Sequence, residues 1–150
     1  MSTSALCSSF KSEILSGFHA LGPTVARATT AADTLMGALY LVSASLGAAT
    51  SVYSATGEVS GANYTAGGIV LTNATAPSTS GTAGIWTPSG SLVYTTVTLS
   101  TPFDTVLIYN ATQGNRAICV INFGSTTIST ATLTLTLPVN APGTAIVTIP

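Results

Sequence analysis

Charged side chains are almost missing from this chain. Asp, Glu, Lys and Arg make up 5% of its 150 residues, against about 25% in an average soluble domain. The net charge is −1. The only basic residues are Lys11, Arg27 and Arg116, too few for the phosphate contacts that nucleic-acid binding requires. No nucleic-acid partner is therefore expected. Histidine occurs once, at His19, and cysteine only at Cys7 and Cys119. Two cysteines so far apart provide neither a disulfide framework nor the clustered ligands of a zinc site. Reduced thiols are expected, with Cys119 inside a buried strand. Long hydrophobic runs are also missing, although the mean hydropathy is +0.57. Leu35 to Ala49 is interrupted by Ser43, Ser45 and Gly47, short of the roughly 20 residues a spanning helix needs. No membrane partner is expected. The start, MSTSALCSSFKSEIL, has no basic region ahead of its apolar part, and Lys11 and Glu13 interrupt it. It does not read as a secretory signal.

What the chain has instead is hydroxyl and aliphatic. Ser (18) and Thr (27) account for 45 of the 150 residues, and 46% of the chain is apolar. The apolar residues fall in strand-like runs, which excludes a disordered polar chain. From Thr34 onward strand alternates with turn. TLMGALYLVSA is apolar enough for a strand buried on both faces or a short helix, and the Ser/Gly/Ala loop after Tyr40, Leu41 and Val42 favours the strand. VYSATGEVS suggests a short strand at Val52 and Tyr53, and GIVLTNAT another at Ile69 to Leu71. GIWTPSGSLVYTTVTLS suggests a turn at Pro88 to Gly90 between a short and a longer strand. In the longer one Val93, Thr95, Val97 and Leu99 are expected on one face, and Tyr94, Thr96 and Thr98 on the other. TVLIYN and RAICVINFG are two further strands joined by a turn at Gly114 and Asn115. TISTATLTLTLP alternates Leu133, Leu135 and Leu137 with Thr132, Thr134 and Thr136. About seven or eight strands result, an all-β antiparallel sandwich or jelly roll over residues 33–150.

Residues 1–32 read differently. FKSEILSGFHALG places Phe10, Ile14, Leu15 and Phe18 at helical spacing, with Gly17 or Gly22 able to end a two-turn helix. The stretch that follows reads as extended. The segment is expected to act as an arm that docks on a neighbouring subunit, with Phe10, Ile14, Phe18 and His19 at the interface.

No set of residues announces chemistry. His19 has Glu13 as its nearest acid, six residues back and off any shared helical face, so an interface or capping role is expected. Asp33 and Asp104 sit where a side chain can satisfy turn amides. Arg116, just after a turn, reads first as an ordinary exposed arginine, with a pairing to Glu58 or Asp104 or a reach to a neighbouring subunit as the alternatives. Three Asn-x-Thr sequons, at Asn63, Asn73 and Asn110, are of the number expected by chance in a chain so rich in Ser and Thr. GEVSGANYTAGG (residues 57–68) looks like a ligand loop. It leads into a strand rather than a helix, has no basic residue and carries Glu58, all of which argue against a bound phosphate. It reads as a corner between strands, with Glu58 held by backbone or Arg116 and Tyr64 packed down as its anchor. No catalytic residue, metal, cofactor or small-molecule substrate is expected. A carbohydrate-binding module, stacking sugars on Trp86, Tyr94, Tyr64 and Tyr109, is a further alternative.

Asp33 with ALY at residues 38–40, VYSATGEVSGANYTAGG, VLIYN followed by GNRAICVINFG, and TLTLPVNAPG occur in that order. In this order the chain resembles a family of small virion structural proteins of tailed bacteriophages, described as head-decoration or tail-associated, from about Phe10 to Pro150. The resemblance implies a non-enzymatic virion component made in the host bacterial cytoplasm. It implies the major capsid protein or other virion proteins as partners, and repeated copies on the particle. A capsid decoration or cement protein is the first expectation and a tail or head–tail component the second. Low charge suits either, because uncharged β surface is buried in a contact at lower desolvation cost than a Lys or Glu surface.

Overall fold

The computed structural model describes residues 2–15, 17–19, 21, 32–73 and 75–149. Among them lie one helix, α1 (Ser8–Leu15), and eight strands: β1 (Ala5–Leu6), β2 (Leu35–Leu41), β3 (Ile69–Leu71), β4 (Ser78–Ser80), β5 (Ala83–Trp86), β6 (Leu92–Asn110), β7 (Arg116–Leu135) and β8 (Val147–Ile149). They form two antiparallel sheets, a five-stranded one in the order β1-β7-β6-β2-β3 and a three-stranded one in the order β4-β5-β8. The fold is the all-β sandwich expected. Trp86 of β5 and Val147 of β8 enter the same core as Leu39, Leu107 and Ile118 of the larger sheet.

Two pairs of expected strands are each one continuous strand. TTVTLS and TVLIYN join in β6, and RAICVINFG and TISTATLTL join in β7. The two strands make one long hairpin whose turn has Gly114 and Asn115 at positive φ (67° and 59°), as the hairpin signal requires. Near this turn, β6 is buried without interruption from Phe103 to Asn110, because β2 and β7 flank it and both its faces are covered. A continuous apolar run is the sequence form of such a strand. Far from the turn the pattern becomes alternating, and Leu133, Leu135 and Leu137 are half-buried while Thr132, Thr134 and Thr136 are exposed.

The face assignment within β6 needs correction. Tyr94 is buried and Val93 is exposed, yet Val97 and Leu99 are buried. The register shifts between Tyr94 and Val97, where Thr96 has φ +53°, a conformation unusual for a β-branched residue. One extra residue at this bulge moves every later side chain to the other face. Opposite it, Thr130 has φ +47°, and its amide donates to Thr98 Oγ1 (2.9 Å). The strand expected at Val52 and Tyr53 is reduced to a single bridge from Val52 to Arg116.

The described part of the N-terminal segment does not form a free arm. β1 pairs with β7, Ala5 opposite Val120 and Leu6 opposite Cys119, and Cys7 and Phe10 are fully buried in the core. The segment folds back because its apolar face finds the outer side of β7 within its own chain. Residues 22–31, including Arg27, lie outside the described residues, as does the Lys11 side chain. Helix α1 ends as Gly17 permits. Its φ is +71°, Phe18 N–H donates to Glu13 O (3.0 Å) and Gly17 N–H to Ile14 O (3.0 Å), the paired bonds of a Schellman cap. Phe18 therefore lies past the helix and is 41% exposed.

Phe10→Ala is expected to destabilise the isolated chain by about 3–5 kcal/mol, the usual loss for a buried Phe, measured by urea unfolding. An unchanged midpoint would mean that this segment belongs to a neighbour.

Candidate functional site

Two polar clusters and the rim of the sandwich hold the residues singled out in the sequence. The first is built on residues 57–68. This loop runs along β2, with Leu41 N–H donating to Gly57 O (2.9 Å) and Val59 N–H to Leu39 O (3.0 Å). At two points its bare backbone meets neighbouring strands directly. A Cβ on Gly61 would lie 2.0 Å from Thr98 O, and one on Gly68 (φ +80°) would lie 1.7 Å from Gly37 O. Only glycine allows either approach.

Glu58 points inward from this loop and organises it. Its Oε2 accepts the Tyr53 hydroxyl (2.6 Å), and its Oε1 accepts the Tyr64 hydroxyl (2.7 Å) and the Gly67 N–H (2.7 Å). The Tyr64 hydroxyl also accepts Leu39 N–H (2.9 Å), which pins the loop to β2, so Tyr64 is the anchor expected. Tyr109 stacks on Tyr53 with ring centroids 4.8 Å apart and donates to Gly67 O (2.9 Å). Tyr94 lies 6.0 Å from Tyr64 and donates to Gly37 O (2.8 Å). Tyr40 donates to Ser54 O (2.5 Å). All five tyrosines of the chain thus surround one carboxylate. Burial first, and the Glu58 charge second, push the Tyr94 and Tyr109 phenols above their ordinary value. Burial pushes Tyr40 up to about 12. Arg116 is not the partner of Glu58. Short charge-assisted bonds from phenols replace the guanidinium.

The second cluster ties the N-terminal segment to the β6–β7 turn. The chain reverses after α1 and returns His19 to Glu13, with His19 Nε2 2.8 Å from Glu13 Oε2. The six-residue separation suggested no contact, and the Schellman cap makes one. Arg116 Nη1 donates to Glu13 Oε1, and its guanidinium carbon lies 4.4 Å over the Phe18 ring, a cation–π contact. Asn110 Oδ1 accepts the amides of Thr112 (3.1 Å) and Gln113 (3.2 Å). Its Nδ2 is therefore the atom that faces Asp33 Oδ2 (2.7 Å) and His19 Nδ1 (3.0 Å). Nδ1 must then accept, so His19 is the neutral tautomer with its proton on Nε2, donated to Glu13. Gln113 Nε2 donates to Asp33 Oδ1 (3.0 Å). Burial is the largest influence on His19 and lowers its pKa, against the opposing pull of Glu13 and Asp33.

These contacts place the remaining residues. Phe10 meets the His19 ring edge-on at 4.7 Å, and Ile14 is half-buried against the core. The His19 side chain is fully enclosed within its own chain. Asp33 accepts the side-chain amides of Asn110 and Gln113. Asp104 lies inside β6, not in a turn, and accepts the Thr105 hydroxyl (2.7 Å). Trp86, Tyr94 and Tyr109 are at most 4% exposed, so these three rings cannot serve as sugar-stacking platforms. An apolar groove of about 260 Å³ lies between Ile14, Leu21, Pro77, Ile85, Trp86 and Ile149. Among the described residues, no three His, Cys, Asp or Glu side chains group as metal ligands. No family model matches the chain, and neither the curated proteins nor the solved structures include a significant match.

Glu58→Gln keeps the shape but turns an NH₂ towards a hydroxyl or amide donor. A loss of about 2–3 kcal/mol is expected, read as a lower urea midpoint. The tyrosine pKa values set the alkaline limit. A phenol raised in the folded state stabilises the fold fully below its unfolded value of about 10, and that stability is lost as pH rises through the folded value. Stability should therefore fall between about pH 10 and 12, alongside tyrosinate absorbance at 295 nm. His19 acts in the opposite sense. Its lowered folded pKa makes its contribution present above about 6.5 and lost as pH falls below it. His19→Gln should flatten the urea midpoint between about pH 6.5 and 5.

Proposed function

We propose that the chain is a non-enzymatic structural component of a tailed-phage virion, one that coats or cements the capsid in many copies. The observation that carries this reading is where the charge goes. Glu13, Asp33 and Asp104 are buried and Glu58 is half-buried among phenols. Arg116 is spent on Glu13 and Phe18. Among the described residues, no carboxylate faces solvent freely. Among the described residues the exposed positions are mostly Ser, Thr, Ala and Gly, with Val70, Val139 and Ile149 more than half exposed. Such a surface repels a second protein weakly and is cheap to desolvate. Each contact is modest, and attachment becomes firm when many copies bind a repeating lattice.

A second reading, a tail or head–tail component, is favoured by one feature. The β6–β7 hairpin extends well beyond β2, and at its far end the outer edge of β7, Ile128–Leu135, is uncharged and unpaired among the described residues.

Purified particles of the phage that encodes the chain, analysed by quantitative mass spectrometry and cryo-EM, test both. The expected outcome is a copy number in the hundreds, as for a shell lattice, with the chain traced on the capsid. Density along the tail would select the second reading. Absence from purified particles would end both.

A further inference from the structure

β7 has two edges. One pairs with β6 along its length. The other is covered only near the hairpin turn, where Tyr53 N–H donates to Asn115 O and Ala117 N–H to Ser51 O. Beyond these, β1 pairs at Cys119 and Val120, and Asn122 N–H meets Ser4 Oγ (2.6 Å). From Ser125 to Leu135, no element other than β6 hydrogen-bonds this strand among the described residues. In an antiparallel ladder, half of the backbone N–H and C=O groups point to the outer edge. Proteins usually blunt such an edge with lysine or proline. Residues 117–137 contain no Lys, Arg, Asp, Glu or Pro, and the first proline is Pro138. The ladder with β6 shifts register at several points between Asn122 and Leu133, and Thr130 takes φ +47°, but at the last of these shifts the extra residue lies on β6, so β7 itself runs from Ala131 to Leu135 without an inserted residue.

We infer that Ala131–Leu135 is a self-pairing edge, joining β7 of one copy antiparallel to β7 of a second across a twofold axis at Leu133. The sequence of this edge selects a second copy as occupant. About that axis Ala131 opposes Leu135 of the partner subunit, Thr132 opposes the partner's Thr134, and Leu133 opposes its own copy. Threonine then lies beside threonine on the exposed face, a favourable cross-strand pair. The half-buried Leu133 and Leu135 form a leucine row that continues into the partner. With no charge in the segment, a like copy meets no repulsion, which a charged edge would impose on self-pairing but not on an opposite partner. The contact is isologous and closes as a dimer. It is also short, about 17 Å of strand, well under a standard stable interface. It therefore associates weakly in solution and holds firmly where a lattice supplies further contacts.

Sedimentation equilibrium of the full chain, up to about 1 mM, tests this. The wild-type mass should rise with concentration towards twice the monomer. Thr132→Lys with Thr134→Lys places like charges opposite across the axis and should hold the chain monomeric. Both positions are exposed, and an unchanged circular dichroism spectrum and melting temperature confirm the fold. Thr132→Lys with Thr134→Glu puts opposite charges across the same axis and should restore dimerisation. A wild-type chain that stays monomeric, or a double-lysine variant that dimerises like wild type, overturns the pairing. In the first case, a strand of a different protein is left as the occupant. Dimerisation by this edge in a chain absent from virions would overturn the virion reading and leave the pairing intact. Its presence in virions with a monomeric wild-type chain would do the reverse.

Discussion

The β6–β7 ladder is the constraint on which the rest of the molecule is assembled. Near its turn the two strands are sandwiched on every side, and β2, β1 and α1 dock against them in turn. The turn itself is fixed twice over. Gly114 and Asn115 take the backbone shape, and Asn110, just before them, caps the turn amides and holds Asp33. Arg116, just after them, reaches Glu13 on the helix. The N-terminal segment is therefore secured to the same few residues that close the hairpin. Far from the turn the ladder has lost its flanking strands, and it is here that the outer edge of β7 is left unpaired among the described residues.

The treatment of charge follows from this arrangement. Four carboxylates and three basic residues would ordinarily be placed on the surface for solubility. Here the carboxylates are turned into hydrogen-bonded clusters that hold loops to strands. Glu58 replaces a hydrophobic plug with three donors and is surrounded by five phenols. Glu13 accepts both a histidine and an arginine. Buried ionic groups are costly unless every lone pair is met, and in both clusters they are met by neighbours whose own positions are otherwise fixed. Among the described residues the result is an exterior nearly without charge.

Much of the fold was legible in the sequence because it rests on local signals. The alternation of Leu133, Leu135 and Leu137 with threonine marks a strand with one half-buried face. The unbroken run of Val106 to Tyr109 marks a strand covered on both. Gly17 ends the helix and Gly114–Asn115 makes the hairpin turn, each through a conformation that few other residues adopt. The anchoring role of Tyr64 was readable for the same reason, since a large amphipathic ring in a glycine loop has few places to go. The bulge at Thr96 was not readable. Threonine carries no signal for a positive φ, and the bulge arises because the 61–64 loop grips β6 there, with Asn63 Nδ2 donating to Thr96 O (2.8 Å).

By itself the sequence determined the class of the protein: an antiparallel β sandwich, poor in charge, with a short helix near its start and a glycine corner at residues 57–68. Periodicity, turn chemistry and composition act over a few residues and need no knowledge of what lies across the core. The tertiary structure decided every pairing between distant residues. It alone brought Tyr53 and Tyr64 onto Glu58 rather than Arg116, closed Glu13 onto His19 around a helix cap, and folded residues 2–15 onto β7. It also decided which edge of β7 stays open. Hydrogen bonds and ion pairs form between whichever groups the packed strands bring within about 3 Å, and that proximity is a property of the assembled sheets, not of any stretch of the chain.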